Sequence, residues 1–191
     1  MRIRVVGWAL CALSAIAFAP LSKAQGLPSA GHFGPVLEAS GEFGGDNLVR
    51  VFYRNGDTQD IRAGQGVTLA AGLHYQPVAV PIDFTATVGY KFDRTADYNT
   101  DLGMNRVVLK LTGTYMLPQH FWVEAGPVWH TGVHLNGDGY IPDIDFDNAF
   151  GGMFGFGWRW FGVTYTDIHY DSWETGRVDA SNVGVTFRWK F

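Results

Sequence analysis

Cysteine is almost missing from this chain: Cys11 is the single one, and it lies in an N-terminal stretch expected to be cut away. What remains has no thiol, which excludes a disulfide framework, a cysteine nucleophile and a zinc-thiolate centre, even in an oxidising compartment. Charge is sparse as well, at 17% of residues, and acidic side chains outnumber basic ones by 18 to 14. Loss of Arg2, Arg4 and Lys23 with the leader moves the net charge from −4 to about −7, so no basic face awaits phosphates and nucleic acid is excluded as a partner. Long hydrophobic runs are also lacking. The apolar stretch from Val5 to Pro20 falls short of the roughly 20 residues a membrane-spanning helix needs, and no later segment approaches that length.

That first run has another use. Arg2 and Arg4 precede it, and Ser22-Lys23-Ala24 supplies the small-x-small pattern of a cleavage site before Gln25. Leu10, just before Cys11, argues against a lipoprotein attachment site. The expected organisation is a signal peptide over 1–24 and one domain over 25–191. Abundant in that domain are glycine, 25 in the whole chain, and aromatic residues, 15%, distributed over short alternating runs. Such a distribution predicts strands.

The last strand states the pattern most clearly. Val183, Val185, Phe187, Trp189 and Phe191 alternate with Asn182, Gly184, Thr186, Arg188 and Lys190, placing the large apolar groups on one face. Earlier runs repeat it. Leu37, Ala39, Gly41 and Phe43 alternate with Glu38, Ser40 and Glu42, while Val67, Leu69, Ala71, Leu73 and Tyr75 lead through a turn at Pro77 to Pro81 into Ile82, Phe84, Ala86, Val88, Tyr90 and Phe92. Thr68, His74, Asp83, Thr85, Thr87 and Lys91 then share the inner face. Val107 to Leu117 alternates with Lys110, Thr112 and Thr114, and Phe121, Val123, Ala125, Trp129 and Val133 oppose Trp122, Glu124, His130 and His134. From Phe150 to Trp160 aromatics alternate with glycines, Met153 and Arg159, as a narrow barrel requires where bulky inner groups need room. Ile168 and Tyr170 break the parity set by Val163 and Tyr165, predicting a bulge near Thr166-Asp167.

Short turns at Pro77 to Pro81, Pro118 to His120 and Phe161-Gly162 alternate with long loops at Asn55 to Gly66, Asp93 to Asn105, Asn136 to Asp147 and Trp173 to Ser181. In a membrane barrel the short turns face the periplasm, and Tyr115, Phe121, Trp160, Trp189 and Phe191 would form a girdle near them. The expectation is an all-β, transmembrane, antiparallel up-and-down barrel of eight strands. Val36 to Gly44 and Leu48 to Arg54 then count as one interrupted strand, or the first is only partly inserted. Ten strands, using Leu27 to Phe33, is the alternative.

The alternating strands, the signal peptide and the Arg188-Trp189-Lys190-Phe191 ending make the domain resemble the small Gram-negative outer-membrane β-barrel family, of the OmpA or OmpX type and the YfaZ-like group. The resemblance implies an outer-membrane location, contact with its lipid and lipopolysaccharide, recognition of the terminal aromatic by the barrel-assembly machinery, and a monomer. Members include structural proteins, adhesins, small channels and lipid-modifying enzymes, so fold alone does not select a role.

Three constellations bear on that choice. Glu38, Glu42, Arg50, Arg54, Asp83 and Lys91, with Lys110, Glu124, Arg159, Arg188 and Lys190, are expected to point inward, where burial demands that they pair. As a structural network they imply a non-enzymatic structural or surface-interaction role; as the lining of a polar conduit, a small porin-like channel. His169 and Ser172 are the candidates for an ester hydrolase of the lipid A deacylase kind, in which histidine activates serine, although a spacing of three puts them on opposite faces of a regular strand. Asn136-Gly137-Asp138-Gly139-Tyr140-Ile141 resembles part of a calcium loop, and Asp138, Asp143, Asp145 and Asp147 are weak metal candidates. His134, Pro142 and Asp145 occupy the first, ninth and twelfth positions of that motif, so a solvated acidic loop is expected and no cofactor is implied. His74, His130 and His134 read as lumen hydrogen-bonding groups rather than zinc ligands.

Overall fold

The computed structural model describes residues 31–52, 58–78, 80–97, 100–139 and 141–191. The expected signal peptide, 1–24, lies outside them. In chain order the strands are β1 (His32–Phe43), β2 (Asn47–Phe52), β3 (Thr58–Arg62), β4 (Gly66–Gln76), β5 (Ile82–Asp97), β6 (Thr100–Met116) and β7 (Phe121–Asn136). They continue as β8 (Ile144–Phe146), β9 (Ala149–Trp158), β10 (Phe161–Asp167), β11 (His169–Ser172), β12 (Gly176–Asp179) and β13 (Asn182–Lys190). Eight of these, β1, β4, β5, β6, β7, β9, β10 and β13, pair antiparallel with their neighbours in turn, and β13 returns to β1. The result is a closed eight-stranded up-and-down barrel.

Period-2 patterning explains why these segments form strands with fixed faces. Leu69, Leu111, Phe154, Val163 and Val183 stand outward and exposed, whereas Thr68, Thr112, Glu124, Thr164 and Arg188 are buried within. Glycine notches make the inward packing possible. A methyl group at Gly157 or Gly162 would overlap the Trp122 ring, which lies over the inner face of β9 and β10 near the short-turn end and donates from Nε1 to the Arg159 carbonyl (2.9 Å). Gly162→Ala is therefore expected to destabilise by about 1–3 kcal/mol through overpacking. In a Trp122→Leu background that cost should largely disappear; an equal cost in both backgrounds, read from urea-induced unfolding, would show that Trp122 is not the reason for the glycine.

Several boundaries differ from expectation. The two first runs are not one strand: β1 is a complete barrel strand, and β2 pairs with β3 in a hairpin separate from the barrel sheet. Arg50 accordingly faces solvent and holds Asp60, with Nε to Oδ1 at 2.7 Å, instead of entering the lumen. Arg54 lies outside the described residues. The last short turn is Arg159-Trp160, not Phe161-Gly162, and puts Arg159 in the open over the Trp158 ring (4.5 Å to the centroid). At Thr166-Asp167 there is no bulge, since the ladder with β9 runs unbroken to Asp167↔Gly152. The slip falls on β7: between Val107↔Thr131 and Asn105↔His134, Gly132 and Val133 together face Arg106, with Gly132 at a φ of 59°. This two-against-one arrangement reverses the side-chain parity, burying Val133 and turning His134 outward.

Strands also occupy the expected long loops. β5 and β6 continue as a paired hairpin to Asp97↔Thr100, β8 adds to the end of β7, and β11 and β12 form a hairpin between β10 and β13. Together with β2 and β3 they build a cap on the long-loop end. Its core contains Ile61, Leu102, Met104, Leu135, Phe146, Ile168, Tyr170 and Val178. Ile168 and Tyr170 point inward, keeping the same even-numbered parity as Gly162 and Thr164.

Candidate functional site

Beneath the cap the lumen is filled by an ion-pair network. Arg188 on β13 donates from Nε and Nη2 to Glu38 of β1 (2.9 and 2.7 Å) and from Nη1 and Nη2 to Glu124 of β7 (2.6 and 2.9 Å). Lys110 of β6 pairs with the other oxygen of Glu38. One level towards the cap, Lys91 of β5 pairs with Glu42 and donates to the Gly64 carbonyl (2.7 Å), while Ser40 and Thr68 donate to the second oxygen of Glu42 (2.7 and 3.3 Å). At the short-turn end Lys190 meets Asp83 (3.2 Å), and His74 bridges Asp83 and the Phe191 carbonyl through its two ring nitrogens (3.0 and 3.4 Å). Four cations, Lys91, Lys110, Arg188 and Lys190, thus meet four carboxylates, Glu38, Glu42, Asp83 and Glu124. Within this network each buried charge has a partner of opposite sign, as its burial demands.

Between network and cap sits Arg106, fully buried, a residue the sequence pattern did not single out because 93–105 had the composition of a loop. Its even-numbered parity with Lys110, Thr112 and Thr114 was the available signal. Nη2 donates to the Gln65 carbonyl (2.8 Å), and the guanidinium lies 5.8 Å from the centre of the Tyr170 ring. The Tyr170 hydroxyl is 2.6 Å from Nδ1 of His130. Burial in the cap pushes the Tyr170 phenol up to about 12, holding it neutral. Aromatic and aliphatic groups therefore pack the cap end, Trp122 lies on the inner wall at the other, and charges occupy the middle.

The hydrolase candidates are not brought together. His169 is partly exposed, 3.9 Å from both Asp167 and Asp179, whereas Ser172 is turned inward. The Ser172 hydroxyl binds Glu174 (3.0 Å) and accepts from the backbone N–H groups of Glu174 and Thr175 (3.1 and 3.2 Å), so it shapes the β11–β12 turn. The four aspartates are likewise dispersed. Asp143 accepts from the Gly137 N–H (2.8 Å), Asp145 pairs with His134 (2.7 Å), Asp138 sits at the turn with its N–H on Asn136 (3.0 Å), and the Asp147 N–H donates to the Asp171 carbonyl (2.8 Å). Among the described residues, no group of three or more His, Cys, Asp or Glu side chains is placed to hold a metal ion. Of the three histidines, His74 and His130 are buried hydrogen-bonding groups and His134 is not.

Fold and filling define a class: a closed eight-stranded antiparallel barrel with an ion-paired interior, an apolar exterior and a folded cap. Comparison with protein-family models, curated proteins and solved structures finds no match, so the role must be argued from this geometry.

Proposed function

We propose that the chain is an outer-membrane β-barrel protein with a non-enzymatic role, in which the barrel anchors a structured cap for structural or surface-interaction purposes. One observation carries the reading: around the closed barrel below the cap the large apolar side chains stand exposed on the outer face, while Glu38, Lys91, Glu124 and Arg188 are buried on the inner one. A barrel immersed in water would invert that arrangement, and lipid is the solvent that suits it. The filled lumen favours a structural barrel over the small porin-like channel, since eight strands leave space mainly for side chains. The separation of His169 from Ser172 favours a non-enzymatic role over ester hydrolysis.

The test combines insertion with conductance. Refolded protein should enter bilayers as a heat-modifiable form and stay electrically silent in planar membranes. Deleting Phe191, whose N–H binds the Pro35 carbonyl (3.1 Å), should impair outer-membrane insertion in cells while leaving export intact. Steady single-channel currents would remove the closed-lumen role, and normal insertion of the deletion variant would remove the terminal signal.

A further inference from the structure

Each cation of the ion-pair network meets a carboxylate; Arg106, one level nearer the cap, does not. Its side chain is fully enclosed, and no carboxylate pairs with it among the described residues. Of its three nitrogens only Nη2 has a protein partner, the Gln65 carbonyl, while Nε and Nη1 have none. Nη2 carries two hydrogens and the carbonyl takes one of them. One two-hydrogen fork of the guanidinium, shared by Nη2 with either Nε or Nη1, is therefore left open.

The surroundings add positive charge instead of cancelling it. Across the ladder Arg106 stands opposite Lys91 of β5, whose own carboxylate is Glu42, and on the other side it faces Gly132 and Val133 of β7, which carry no charge. The Tyr170 ring covers it from the cap. The rival for the counter-charge is Asp93, two residues beyond Lys91 on β5. Its Oδ2 is buried and also lacks a partner, and burial in the cap pushes its carboxyl up, towards the neutral form, against the pull of Arg106 and Lys91. Water satisfies open hydrogens but supplies no charge, and a buried guanidinium without a counter-charge is strongly unfavourable.

We infer that the open fork of Arg106 holds a small inorganic anion, a halide such as chloride, buried where the barrel meets the cap. Enclosure selects a monatomic ion over an organic acid, because Lys91, Met104, Arg106 and Tyr170 are all fully buried around the position. Such an ion neutralises a residue that touches three parts of the chain: β6, which carries it, the β3–β4 connection through Gln65, and β11 through Tyr170. It thereby helps to seat the cap on the barrel. The inference does not depend on what surrounds the barrel.

The probe is chloride itself, exchanged for gluconate at constant ionic strength over detergent-refolded protein, with urea unfolding as the readout. Raising chloride to ten times its half-saturating concentration should raise the folded-to-unfolded ratio about tenfold, and bromide should substitute for it. Crystals grown in bromide should show an anomalous peak in contact with the Arg106 guanidinium. Arg106→Gln should abolish the chloride dependence whatever its own stability, and Asp93→Asn, which removes the rival counter-charge, should keep it. If Arg106→Gln does not refold, the bromide peak in the wild-type protein still decides. Equal stability at every ratio of chloride to gluconate, no bromide at Arg106, or an unchanged chloride response in Arg106→Gln would each overturn the inference. A response that appears only in Asp93→Asn would overturn it too, since Asp93 would then be the counter-ion of the wild-type chain.

Discussion

Arg188→Met is expected to destabilise the barrel by about 3–5 kcal/mol, the effect of leaving buried charge without its partner. Glu38 and Glu124 both lose a doubly hydrogen-bonded guanidinium, and Lys110 remains to neutralise only one of them. Water cannot easily substitute, since both carboxylates are buried among side chains from neighbouring strands. The comparison that isolates the cause is the triple variant Arg188→Met, Glu38→Gln, Glu124→Gln, which removes the charges together and should recover much of the loss. Equilibrium unfolding in urea from lipid vesicles gives the two values. A single variant within about 0.5 kcal/mol of wild type, the usual scatter of surface substitutions, would mean that the network contributes little.

The second large effect belongs to the cap. Tyr170→Ala should cost about 3–5 kcal/mol of cap stability, because it opens a cavity beside Phe146 and removes the hydroxyl that meets His130. Hydrogen exchange of the β11 and β2 amides should accelerate while that of the barrel strands holds. The same residue sets an alkaline limit. Its folded pKa, about 12, exceeds the ordinary value near 10, so the stabilisation from burying the neutral phenol is complete below pH 10 and is lost as pH rises through 12. Two pH units correspond to roughly 3 kcal/mol. Tyr170→Phe should abolish this alkaline opening, and its persistence in that variant would assign it to another group.

Much of the barrel was legible because the pleat fixes a period of two. Alternation alone points Glu38, Lys91, Glu124 and Arg188 inward, and all four are buried there. The strand count of eight came from the same pattern together with the alternation of short and long connections. Alternation does not say which sheet a strand joins. β2 looks like any other strand along its own length, and only its pairing with β3 carries Arg50 away from the lumen. Nor is the reversal at Gly132 written in β7 by itself, because a bulge is a mismatch between two strands and depends on the opposing Asn105 to Val107. The partners of Arg188, 150 and 64 residues away, follow from barrel register, which no local pattern reveals. Ile168 and Tyr170 misled for a related reason. Large apolar groups were expected on the outer face, and near the cap they belong on the inner one.

That change of preference runs along the chain from barrel into cap. From Phe161 through Tyr165 the chain keeps its greasy side chains outside and its small or polar ones inside; from Asp167 through Asp171 acids stand outside, and Ile168 and Tyr170 pack inside. On β6 the inner face passes in the same way from Thr112 and Lys110 to Met104 and Leu102. One chain path therefore obeys two opposite solvation rules. On the membrane reading, the level where they exchange is the waterline of the outer leaflet, drawn around the barrel by the chain's own change of habit.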